Sequence, residues 1–106
     1  MKKIINGKLY DTETATLVAY YSNYLSSVSP NWEKERLYKK RTGEFFLQGA
    51  GGELTKYARQ SVNGMRYEGV KIIPITLEEA KEWVAQNCNL HTYIEVFGES
   101  EKCKVC

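Results

Sequence analysis

The sequence is poor in the residues that most often carry chemistry or long-range cross-links. It has three cysteines, two prolines, two methionines and one histidine in 106 residues. An odd cysteine count behind Met1-Lys2-Lys3-Ile4-Ile5-Asn6-Gly7, which is too short an apolar run for a secretory h-region, points to reduced thiols in a cytoplasm. No stretch approaches the ~20 apolar residues of a membrane span. No serine lies in a G-x-S-x-G context, and no carboxylate cluster resembles a nuclease metal site. Charge of one sign is missing too. A formal net charge of +2 excludes a DNA mimic, which needs a strong negative field.

What remains is an ordinary soluble composition, 42% hydrophobic and 26% charged, long enough for one core. The expected organisation is a single domain over 1–98 and a tail over 99–106.

The central stretch is Glu33–Gly52, EKERLYKKRTGEFFLQGAGG. Two strand-like runs, Glu33–Lys40 and Glu44–Gln48, flank Arg41-Thr42-Gly43, which fits a three-residue hairpin loop with glycine in the left-handed position. That loop sets Lys40 opposite Glu44, Tyr38 opposite Phe46 and Arg36 opposite Gln48 on one face. Lys39 and Phe45, and Leu37 and Leu47, oppose each other on the other face. Leu37, Phe45 and Leu47 are the core candidates. Arg36, Tyr38, Lys40 and Phe46 are expected to form an exposed cationic, aromatic surface, with Arg41, Lys56 and Arg59 nearby. Cations can contact phosphates and aromatics can stack on unpaired bases. The competing reading is ordinary cross-strand ion pairing, because Glu33, Glu35 and Glu44 interleave with the cations.

Around this hairpin, Ile4–Tyr10 reads as a hairpin turning at Asn6-Gly7. Asp11 or Thr12 is expected to cap a helix whose stripe is Leu17, Val18, Tyr21, Tyr24 and Leu25. Its tyrosines read as core-edge residues. Gly49–Gly52 reads as a tight reversal into a short helix over Glu53–Arg59, and Ser61–Gly69 as a turn or loop. Val70–Ile75 is a strand with Pro74 at its end or at a sheet edge. Thr76 and Glu79 form a capping box for a helix to about Asn87, burying Leu77, Ala80, Trp83, Val84 and Cys88. Thr92 and Glu95 suggest a second box before Gly98. The sum is an α+β domain: an antiparallel sheet of four or five strands built from hairpins, with helices mainly on one face.

Cys88-x₂-His91 and Cys103-x₂-Cys106 together have spacing that tetrahedral zinc accepts. The alternative is a small buried Cys88 and a frayed, reducible tail; no metal or other cofactor is assigned.

Three blocks carry a resemblance: Ile5–Ala15 (INGKLYDTETA); Leu37–Leu47 (LYKKRTGEFFL) with Gly49, Gly51, Gly52 and Thr55–Ala58 (TKYA); and Lys71–Thr76 (KIIPIT) with Glu78, Glu79, Ala80 and Trp83. Over nearly the whole chain to about Gly98 they resemble a family of small, mostly uncharacterised proteins of phages, plasmids and integrated elements of Firmicutes. Proteins of this genomic type include anti-CRISPR inhibitors of type II effector nucleases. The resemblance implies a non-enzymatic inhibitor whose partner is a host CRISPR effector nuclease or its guide-RNA complex, in the bacterial cytoplasm. The alternative is a nucleic-acid-binding accessory protein of the element. The family supplies no catalytic motif, so no residue gains a role from it.

Overall fold

The computed structural model describes residues 1–98; the expected tail 99–106, with Cys103 and Cys106, lies outside the described residues. Strands β1 (Lys2–Ile5) and β2 (Lys8–Asp11) form a hairpin. Its turn residues Asn6 and Gly7 have φ of 52° and 77°, as a type I′ turn requires. Four longer strands follow: β3 (Thr16–Ser22), β4 (Glu33–Lys39), β5 (Phe45–Gly51) and, later in the chain, β8 (Gly69–Ile75). They pair antiparallel in the order β3-β4-β5-β8. Between β5 and β8 lies a small ribbon, β6 (Arg59–Gln60) with β7 (Arg66–Tyr67). Helices α1 (Leu77–Asn87) and α2 (Leu90–Phe97) close the domain.

The fold is therefore α+β, with a four-stranded antiparallel sheet at its centre. The expected register of the central hairpin is the observed one: Leu37 opposes Leu47, Tyr38 opposes Phe46 and Arg36 opposes Gln48. A three-residue turn leaves no freedom to slip, because a one-residue shift would send every core side chain to the other face. Pro74 lies on β8, an edge strand, where its missing N–H costs no ladder bond. Thr76 and Glu79 form the expected capping box, with bonds of 2.9 and 3.1 Å.

The main core lies between the sheet and the helices. Leu37, Phe45, Leu47 and Ala19 meet Ala80, Trp83 and Val84 of α1, with Tyr93, Val96 and Phe97 of α2 packed alongside. Each large apolar side chain buried here contributes roughly 1.5–3 kcal/mol.

Several expectations are corrected. The segment read as a helix from Asp11 is strand β3. Its β-branched and aromatic run, TLVAYYS, pairs with β4, and a bulge between Leu17 and Ala19 resets its alternation. Asp11 instead accepts the Glu13 N–H at 2.9 Å in a turn. Gly49, Ala50 and Gly51 are not a loop but the end of β5, and Glu53–Ala58 forms turns in place of a helix. Glycine is needed at 49 because the buried Tyr57 ring lies against the strand there, where any Cβ would overlap it. Leu77, the first residue of α1, is exposed and not buried as expected. Helix α2 is capped by Asn89, which accepts the Thr92 N–H at 2.8 Å; Glu95 faces His91 at 3.0 Å instead of completing a box.

Candidate nucleic-acid or partner interface

Strand β4 alternates Glu33, Lys34, Glu35 and Arg36, and its period of two sorts these charges across the sheet. Glu33 and Glu35 share the helix side with Leu37; Lys34 and Arg36 take the opposite side with Tyr38. Strands β3, β5 and β8 contain no Asp or Glu, so the sheet presents no carboxylate of its own on the Lys34–Arg36 side. Among the described residues neither cation forms an ion pair. The expected cross-strand pairing holds only at the turn, where Glu44 meets Lys40 at 3.3 Å and Lys8 at 2.8 Å. The hydrogen bond from Lys8 is the chief reason the Glu44 carboxyl falls to about 2.

Half of this helix-free face is covered. The β1–β2 hairpin folds over it and buries Tyr38 and Phe46 in a second cluster with Tyr10 and Ile72. Phe46 stacks on Tyr38 at 5.2 Å and meets Tyr10 edge-on at 5.4 Å. Lys40 is half-buried, with its ammonium 4.3 Å from the Tyr10 ring centre. The exposed surface expected for Tyr38 and Phe46 is thus a small core, because two aromatic faces side by side attract an apolar cover. Neither ring can reach a partner while the hairpin is in place.

The other half is open. Arg36 lies 5.3 Å from the Tyr20 ring, and Lys34 lies 5.9 Å from Trp32. Beyond Trp32 a cleft of about 340 Å³ is lined by Trp32, Arg59, Glu68, Gly69 and Val70. Arg59 lies 5.0 Å from the Tyr67 ring, and its Nε donates to the Glu68 carbonyl at 3.1 Å. The structure therefore brings two of the seven sequence-level candidates, Arg36 and Arg59, into one band through Trp32. Arg41 is exposed in the β4–β5 turn, at the far end from the cleft. Lys56 is on the helix side. Sequence reading missed Trp32 and Tyr20 as members of this surface. The parity of Trp32, Lys34 and Arg36 was available as a signal; Tyr20 was hidden by the helical reading of β3.

On the opposite face, the buried Glu35 carboxylate receives the Tyr57 hydroxyl, Trp83 Nε1–H at 3.0 Å and Lys56 Nζ at 3.1 Å. Burial pushes the Glu35 carboxyl up, but the hydrogen bonds from Tyr57, Trp83 and Lys56 outweigh it and leave it below its ordinary value. Burial, followed by the bond to Glu35, pushes the Tyr57 phenol well above its usual range. With three donors engaged, this carboxylate ties β4 to α1 and to the 53–58 turns, and it has no proton to give at neutral pH.

Among the described residues, no group of three or more His, Cys, Asp or Glu side chains is placed to hold a metal ion. Cys88 is half-buried with its thiol raised by burial, and the other two cysteines of the proposed zinc set lie outside the described residues. No described helix is long and apolar enough to cross a membrane. No family model, curated protein or solved structure matches the chain.

Proposed function

We propose that this chain is a non-enzymatic inhibitor of the anti-CRISPR type, carried by a mobile element, that binds a type II CRISPR effector nuclease or its guide-RNA complex in the bacterial cytoplasm. The observation that supports it best is the open half of the helix-free face. There Lys34 and Arg36 stand beside Tyr20 and Trp32 without a carboxylate partner. Enriched aromatics and arginine on an uncovered sheet suit macromolecular contact, and the buried, fully engaged Glu35 offers no general acid or base. The resemblance of the three sequence blocks to mobile-element proteins supplies the biological setting. A net charge of +2, with the acids of β4 turned to the other face, argues against DNA mimicry.

The test is target-DNA cleavage by several type II effectors, with the protein added before or after guide loading. Inhibition only before loading indicates interference with assembly. Inhibition after loading indicates a blocked DNA site or conformational step. Unchanged cleavage by all of them removes the inhibitor reading.

A second reading, a nucleic-acid-binding accessory protein of the element, is favoured by the three cation–aromatic pairs along one band. It requires binding to free nucleic acid that weakens steeply with salt.

A further inference from the structure

We infer that the open half of the helix-free face is a binding platform for single-stranded nucleic acid, running from Tyr20 and Arg36 past Lys34 and Trp32 to Arg59. This deepens the reading above, in which the same face is the contact surface, by naming the chemistry it accepts.

Three features select that ligand. The first is charge. Lys34 and Arg36 point from neighbouring same-face positions of β4, and Arg59 stands across the cleft from Trp32. None of the three has an ion-pair partner among the described residues, so their charge is available to phosphates. Glu68 and Glu53 are the acidic groups nearby. Glu68 lines the cleft between Trp32 and Arg59 and Glu53 the neighbouring one, so the cationic path is least opposed at Lys34 and Arg36 and meets an acid only where it reaches Arg59.

The second feature is the aromatic content. Tyr20 is 44% exposed, and Trp32 is half-buried at the mouth of the cleft. An aromatic ring with an arginine or lysine beside it stacks on any unpaired base, and the guanidinium plane of Arg36 extends the stacking surface. A duplex keeps its base faces inside the helix and offers nothing to such rings. The third is rigidity. Tyr20, Lys34 and Arg36 stand on paired strands of the main sheet, Trp32 directly precedes β4, and Arg59 is in the β6–β7 ribbon; Gln48, Ala50 and Val70 beside them are uncharged. A platform whose backbone is held by strand pairing accepts an extended single strand without demanding a sequence.

The test uses fluorescence anisotropy with one 12-nucleotide sequence as labelled single-stranded RNA, single-stranded DNA and DNA duplex. Both single strands are expected to bind, the duplex about tenfold or more weakly, and a preference between RNA and DNA shows whether a 2′-hydroxyl is also read. Three phosphate contacts on a single strand predict a log–log salt slope of about −2, so affinity falls roughly twentyfold from 50 to 200 mM salt. Lys34→Glu with Arg36→Glu is expected to abolish binding. Tyr20→Leu should weaken it about tenfold with the salt slope unchanged. Lys39→Glu with Lys71→Glu makes the same change in net charge on the helix side and should bind as the parent does. Equal loss in that control pair, equal affinity for the duplex, or no single-strand binding at low salt would each overturn the inference. The cleavage assay separates this from the inhibitor reading. Binding without inhibition keeps the platform and removes the nuclease target; inhibition without binding does the reverse.

Discussion

The two faces of strand β4 carry similar charge density and meet opposite fates. On the helix side Glu35 is buried and receives three donors, one each from the 57 phenol, the 83 indole and the 56 ammonium. On the other side Lys34 and Arg36 have no carboxylate partner and lean on aromatic rings at the surface. A buried ion survives only when nearly every lone pair is satisfied, whereas an exposed cation needs no partner. The contrast separates the two faces: the Glu35 side holds the fold together, and the Lys34–Arg36 side is the one proposed for contact.

The sharpest way to break the helix side is Gly49→Ala. A methyl there overlaps the Tyr57 ring, which is fully buried and tied to Glu35, so it has nowhere to move. A loss of about 3 kcal/mol or more is expected in chemical denaturation, at the upper end for overpacking. Glu35→Ala comes next. It leaves the Tyr57 hydroxyl and the Trp83 N–H without their acceptor, and a loss of roughly 2–4 kcal/mol should appear in the urea midpoint. Tyr57→Phe removes one donor only, and about 1–2 kcal/mol is expected.

The pH dependence of stability sharpens the same point. The Glu35 carboxyl is held below its ordinary value in the folded state, so its contribution is present above the unfolded value near 4.5 and is lost as pH falls through the lower, folded one. The Tyr57 phenol is raised on folding, so its contribution is present at neutral pH and declines as pH climbs above about 10. Denaturation midpoints across pH should show both limbs. In Tyr57→Phe the alkaline contribution should vanish and the acid limb shrink, because Glu35 then loses a donor to its charged form. An unchanged acid limb would show that Tyr57 does not hold that carboxylate.

Smaller effects are expected on the other face. Gly7→Ala forces a Cβ into a left-handed turn residue at φ 77°, costing about 1 kcal/mol and loosening the hairpin over Tyr38 and Phe46. Hydrogen exchange should then rise in β1 and β2 before it rises in β4. Smallest of all, Lys34→Glu with Arg36→Glu should change stability by no more than about 0.5 kcal/mol, while removing nucleic-acid binding. A large stability loss in that pair would erase the distinction between the faces.

Much of this comparison was legible in the sequence, unevenly. The central hairpin, its register and the capping box at Thr76 rest on turn and cap chemistry within a few residues, and local chemistry is readable. Tyr20 was misplaced because Leu17, Val18, Tyr21 and Tyr24 fall at helical spacing by coincidence. A bulge disturbs the alternation that would have shown a strand. Glu35 was read as one more solvated acid, since its partners lie 21 to 48 residues away in sequence. The surface role expected of Tyr38 and Phe46 failed for a similar reason: Tyr10 of the hairpin that covers them lies 28 and 36 residues earlier in the chain.

The sequence by itself determined the pairing of β4 with β5, the two-residue sorting of charge, and the ends of α1, because each depends on neighbours that chain connectivity brings together. Only the tertiary structure decided which face of that sheet would be covered. That choice depends on where Tyr10 of the β1–β2 hairpin, the Tyr57 ring and the indole of Trp83 come to rest, and their burial is a property of the assembled surface, not of any local run of residues.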